Sequence, residues 1–319
     1  MSPRIEEPLA SAVREAGWTT LAPEADLTPV GPPVLRDSLH LGGDLWLVVV
    51  GAHDGSVRGV PVVHAEGKVR RAEPGDGAAQ ALVEVIRLGR ATGAFTVTPW
   101  HVDPVVGETS LGERVLVGGA AVVRWADEAD SRPAMDLMRR LVRSGFAGMP
   151  RPWGVLGWQP PAEVAPRLLA QVEAYVPGAV DGCDWAVHDL REALVADDLG
   201  GLHRSGTSLG ELLAGFHLAL ASTAGPSTAE DVDRWRDAGQ RDLDDALAAT
   251  HSAYAPGSGE AYGLLRRREQ QLRSLLALPE VVPGPPLMLT HGDLHVGRVL
   301  RAGHTLRITV DGAAADAPA

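Results

Sequence analysis

THGDLHVGRVLRAGHTLRITVDG, residues 290–312, decides how this chain is read. It has the form of a loop holding a lone acid, Asp293, followed by a short strand and a second acid, Asp311. A loop carboxylate is either a turn former or helix cap, or a base that can orient a hydroxyl and take its proton. Asp311-Gly312 is either a turn signal or an oxygen donor suited to a hard cation such as Mg²⁺. His291 and His295 flank Asp293 at a spacing of four. A zinc hydrolase built on that pair would need Glu directly after the first His. Gly292 occupies that place and no obvious third ligand follows, so metal-dependent hydrolysis is the weakest reading of the stretch.

The rest of the chain narrows the choice. At 319 residues it is long enough for about two domains. Its longest apolar runs, LWLVVVGA at 45–52 and VLVGGAAVV at 115–123, fall well short of the ~20 residues of a membrane helix. The first residues, MSPRIEEPLASAVREAG, carry acids where a signal peptide has a basic and then an apolar run. A cytoplasmic protein is expected. A net charge of −12 argues against a nucleic-acid backbone as partner. The densest basic stretch, Arg266–Arg268, is followed by Glu269 and reads as a solvated helix face. The single cysteine, Cys183, excludes an internal disulfide and reads as a partly buried thiol.

Patterning divides the chain. GDLWLVVVGAHDG and GVPVVHAEGKVRRAEPGDG predict strands separated by Gly/Asp turns, and AAQALVEVIRLGRA at 78–91 predicts a helix. A strand pair over 112–125, a helix over 132–146 and a strand over 167–176 follow. From about residue 185 onward the pattern is helical. Ser208 with Glu211, and Ser227 with Glu230, have the spacing of capping boxes. A strand-rich first half and a helical second half imply an α+β, two-lobed protein.

LLAQVEAYVPGAVDGCDW at 168–185, LAGFHLALA at 213–221 and HGDLHVGRVL at 291–300 together resemble the maltokinases and maltokinase-like glucosamine kinases. These belong to the aminoglycoside-phosphotransferase branch of the protein-kinase-like fold, and the resemblance runs from about residue 40 to 311. It implies an N-terminal cap over 1–95, a strand-rich ATP lobe over 96–177 with a hinge near 171–175, and a helical catalytic lobe over 178–319. Further helices follow the second acid in that family, and here they are absent, which implies an open sugar site.

The resemblance assigns roles residue by residue. Asp293 takes the place of the base and His291 that of a residue bracing its loop, with His295 a second brace. Asp311 stands where the family places a metal-binding Asp within D-F-[DE]-G, although GAAADAPA follows here. Arg298 replaces a metal-binding amide. A guanidinium has no acceptor, so this is either a lost metal ligand or a direct phosphate contact. Arg124 stands where the family keeps its phosphate-binding Lys, since the only lysine, Lys68, falls in the cap. The exchange keeps the charge and changes its shape. Arg124 therefore reads either as a phosphate ligand, with Asp136 on the next helix a guessed partner, or as a strand residue without one. Thr109 and Ser110, between Gly107 and Gly112, resemble a phosphate loop, and the hinge Gln171–Tyr175, with Glu173 and Tyr175, would offer backbone groups to adenine. His217 reads as helix packing.

The function implied is ATP- and Mg²⁺-dependent phosphoryl transfer to a sugar or aminosugar hydroxyl. The alternative is a pseudokinase that binds a nucleotide or a protein partner without turnover, favoured by the exchanges at 124 and 298.

Overall fold

The computed structural model describes residues 7–21, 32–51, 57–111, 114–126, 132–160, 166–252, 258–277, 287–310 and 315–318. The chain falls into two compact units, Met1–Ala219 with His291–Ala315, and Leu220–Thr290 with Asp316–Ala319.

The first unit opens with α1 (Glu7–Leu21) and an antiparallel sheet of β1 (Val34–Gly42), β2 (Leu45–Gly51), β3 (Val57–Ala65) and β4 (Lys68–Arg71) in sequential order. The run LWLVVVG is apolar throughout because both faces of β2 are covered. Val48 and Val50 join Leu9, Val13, Trp18 and Leu21 of α1, while Leu47 and Val49 point into a second core. That second core contains α2 (Ala78–Leu88), through Leu82, Val83 and Ile86.

It also contains one face of a six-stranded sheet ordered β5 (Phe95–Pro99), β9 (Pro152–Trp158), β10 (Arg167–Ala174), β8 (Ala121–Trp125), β7 (Arg114–Val117) and β6 (Glu108–Leu111). The four-stranded and six-stranded sheets thus share one core. A buried hydrogen bond joins them, with Trp158 Nε1 donating to Asp37 Oδ2 at 2.9 Å. The other face of the six-stranded sheet meets α3 (Arg132–Ser144), where the Met135 sulphur lies 3.0 Å from the place a Gly157 Cβ would take. Arg124 on β8 is in register with Gln171 on β10. Directly opposed residues share a face, and Glu173, two residues on, shares it too.

Next come α4 (Gly182–Ala196) and α5 (Gly200–Leu220). The helix expected to begin at Ser208 starts two turns earlier, because the Asp198 side chain accepts the Gly200 N–H at 2.8 Å. Ser208 is an exposed mid-helix residue. Cys183, in the first turn of α4, is exposed, not partly buried. His217 is exposed beside the buried Phe216 and does not serve helix packing.

In the second unit, α6 (Ala229–Ser252) packs with α7 (Ser258–Leu276). Arg273 joins Asp244 at 2.5 Å, Glu269 at 2.9 Å and Gln240 at 3.0 Å. Arg266 pairs with Glu269, as the solvated-face reading expects. The capping box of α6 is Thr228 with Asp231, one residue later than Ser227 with Glu230. Thr228 Oγ1 accepts the Asp231 N–H at 3.1 Å, and the Asp231 carboxylate accepts the Thr228 N–H at 2.8 Å. The strand β11 (Leu287–Thr290) leads out of this unit.

Candidate active site

After β11 the chain forms the loop His291–His295, a 3-10 turn (Val296–Arg298), and the hairpin of β12 (Val299–Ala302) and β13 (Thr305–Ile308). Gly292 has φ +83°, a left-handed conformation that suits glycine and turns the chain between His291 and Asp293.

The loop is braced from behind. His291 is 2% exposed, and its Nε2 lies 2.7 Å from the Thr309 carbonyl oxygen. A carbonyl only accepts, so Nε2 carries a proton and donates it. Thr309 returns its N–H to the Arg298 carbonyl at 2.8 Å. Trp185 on α4 donates from Nε1 to the Val299 carbonyl at 2.9 Å. Arg301 of β12 stacks on the Trp185 ring, 4.9 Å from its centroid, and bonds Asp189 at 2.7 Å. Ser205 of α5 donates to the same Asp189 oxygen at 2.6 Å. Arg301 and Ser205 together hold the Asp189 carboxyl below the usual carboxylate range. At Gly182 the backbones touch, since a Cβ there would lie 1.6 Å from the Val296 carbonyl oxygen.

Asp293 projects from this frame about half exposed. Arg298 donates to Asp293 Oδ2 from a terminal guanidinium nitrogen at 2.7 Å and from Nε at 3.3 Å. Both bonds reach the same oxygen, so Oδ1 keeps its lone pairs for another donor. His295 Nε2 lies 3.7 Å from the carboxylate, and its Nδ1 accepts the Gly297 N–H at 3.2 Å. The Arg298 hydrogen bond, chiefly, holds the Asp293 carboxyl below its ordinary range, with the Arg298 and histidine charges adding to it.

The structure therefore brings His291, Asp293, His295 and Arg298 into one loop. It places Arg124, half buried, on a sheet face with Gln171 and Glu173, both buried, and Gln171 Nε2 donates to Glu173 Oε2 at 3.2 Å. Asp136 pairs with Arg139 of its own helix at 3.5 Å. Thr109 and Ser110 are exposed on β6, at the edge of the sheet. In the hinge, the Tyr175 N–H bonds the Ala120 carbonyl at 2.8 Å and the Ala174 N–H bonds the Arg151 carbonyl at 2.7 Å. Asp311 and Gly112 lie outside the described residues. The bracing by Gly182, Trp185, Asp189 and Arg301 was not foreseen, because these partners are joined only by folding.

An Mg²⁺ ion takes oxygen donors. Arg298 supplies none and sets a positive charge on the one carboxylate among the described residues of the loop. The described residues alone do not fit a cation at that carboxylate.

A braced loop carboxylate that follows a helical segment, in a chain with a strand-rich first half, is the arrangement that the resemblance to phosphotransferases implies. Residues 115–309 match the phosphotransferase enzyme family APH, and the chain belongs to that family. It is 37% identical over 286 residues to the glucosamine kinase of Mycolicibacterium smegmatis, covering 86% of this chain and 69% of that one. It is 36% identical over 318 residues to the glucosamine kinase of Streptacidiphilus jiangxiensis, covering 95% of this chain and 70% of that one. A solved glucosamine kinase in complex with glucosamine, ADP and inorganic phosphate superposes with a TM-score of 0.74 at 34% identity, over 100% of this chain and 76% of that chain. The fold is accordingly the kinase-like α+β fold. No helix among the described residues is long and apolar enough to cross a membrane.

Proposed function

We propose that this protein transfers the γ-phosphoryl group of ATP to a hydroxyl of an aminosugar of the glucosamine type, with Asp293 as the base. The observation that carries the reading is the geometry of Asp293, a carboxylate on a hydrogen-bonded loop with one oxygen held by Arg298 and the other left to accept. Membership of the family and similarity to glucosamine kinases support the substrate class.

In this reading Oδ1 of Asp293 orients the sugar hydroxyl and takes its proton as the oxygen bonds to the γ-phosphorus. The bond from phosphorus to the β–γ bridging oxygen breaks, and ADP leaves with that electron pair. Phosphoryl transfer depends mainly on positioning and charge neutralisation, so a braced loop matters more than a strong base. Arg124 and Arg298 supply positive charge to the phosphates, Thr109 and Ser110 line their path, and the segment of Glu173 and Tyr175 borders the adenine. Asp311 would hold an Mg²⁺ ion, which would neutralise charge on the phosphates. The cap covers 1–95, the nucleotide lobe 96–177 and the catalytic lobe 178–319.

The test is ADP release with Mg-ATP against glucosamine, maltose and aminoglycosides. Turnover on the aminosugar, with Asp293→Ala reducing kcat by about a thousandfold or more while nucleotide affinity stays, is expected. No turnover on any sugar, with ATP still raising the melting temperature, would sink the kinase reading and leave a nucleotide-binding protein.

A further inference from the structure

Glu108 stands beside Thr109 on β6, yet its carboxylate serves a distant part of the chain. It accepts the backbone N–H groups of Gly75 at 3.1 Å, of Ala79 and Gln80 at 3.1 Å each, and of Gly77. These donors are the first turn of α2 and the residues entering it, 28 to 33 positions earlier in sequence. A helix N-terminus leaves such N–H groups without intrahelical partners, and Gly77 at the cap has no side chain to satisfy them. Glu108 takes over the capping role from another sheet. A reciprocal bond closes the clasp, with Gln80 Oε1 accepting the Gly107 N–H at 2.7 Å. Gly107 in turn accepts the Gly118 N–H at 2.8 Å across the hairpin. On the cap side, Asp76 bonds Arg70 of β4 at 2.6 and 2.8 Å and accepts the Glu73 N–H at 2.7 Å.

Charge makes the arrangement informative. A carboxylate beside a phosphate-binding hairpin repels its ligand unless the negative charge is taken up elsewhere. Here four N–H donors and the positive end of a helix take it up.

We propose that Glu108 is a positioning residue for the nucleotide, fastening the β6–β7 hairpin to the N-terminus of α2. The cap thereby becomes part of the nucleotide-holding machinery. This rests on the reading of that hairpin as the phosphate-binding element.

The experiment compares the full-length protein with Glu108→Gln and Gln80→Ala, which loosen the clasp from either side. ATP affinity is measured by calorimetry, the KM values for ATP and glucosamine separately, and amide deuterium uptake over 75–80 and 107–111. Expected are an ATP Kd and KM raised about tenfold in Glu108→Gln and about threefold in Gln80→Ala, a glucosamine KM within about twofold of the parent, and faster exchange in both segments. Equal ATP affinity in parent and variants, or parallel rises in both KM values, overturns the proposal. A parent protein that binds no ATP overturns the hairpin reading itself, an outcome visible before any variant is made. Should Glu108→Gln fail to fold, Gln80→Ala decides by the same criteria.

Discussion

Arg298 alters what Asp293 can do. Two N–H bonds to Oδ2 fix the carboxylate's orientation and favour its charged form, making it a weaker base with a better-defined direction. The folded-state value is depressed, so the charged carboxylate and its bond to Arg298 persist above the ordinary value. Both are lost only as pH falls through the depressed one. The group is about half exposed, and solvent screens the interaction. In Arg298→Gln the midpoint is expected to rise towards the ordinary aspartate value. NMR titration of the Asp293 carboxyl carbon reads this directly, and an unchanged midpoint contradicts it. Arg298→Lys keeps the charge and loses the planar fork, so kcat is expected to fall about tenfold in steady-state assays.

At the scale of elements, the loop works because α4 and β12 hold it from behind. Gly182→Ala would drive a methyl group into the Val296 carbonyl, and only movement of the 296–299 backbone relieves the clash. The expected result is a loss of stability of about 2–4 kcal/mol in denaturant unfolding, with kcat falling by more than tenfold. Asp189→Ala removes the shared acceptor of Arg301 and Ser205 and is expected to cost about 1–3 kcal/mol. Its carboxyl is also depressed, so this contribution is present in the wild type above the ordinary carboxylate range and fades as acid reaches the lower value. Such braces were not legible in the sequence. What was legible is local. The continuous apolar run of β2, the periodicity of α2 and α3 and the contiguous Asp293 loop depend on neighbours in the chain. Caps were misplaced because Ser208 and Ser227 satisfy a spacing rule, while the chain is capped by Asp198, which has no acid three residues on, and by Thr228 with Asp231. Glu108 was invisible as a clasp because its partners lie some thirty residues away.

For the whole molecule, the consequential feature is that the first sheet and the six-stranded sheet bury their faces in one core. Leu39, Leu41, Leu47 and Val49 meet α2, Val115, Val123, Leu156 and Val172 there. Each fully buried aliphatic side chain contributes about 1.5–3 kcal/mol, so removing four forfeits on the order of 10 kcal/mol. A domain's entire stability is only about 5–15 kcal/mol. Trp158 would also lose its buried acceptor, Asp37, at a further cost of about 1–3 kcal/mol. A chain begun at Ala72, lacking α1 and β1–β4, is therefore expected to show no cooperative thermal transition and to bind a dye specific for exposed apolar surface. Calorimetry and dye fluorescence on the shortened chain check this. A single sharp transition within a few degrees of the full-length protein would show that the six-stranded sheet holds its own core. The cap sheet and α1 would then be a separable attachment to the nucleotide lobe.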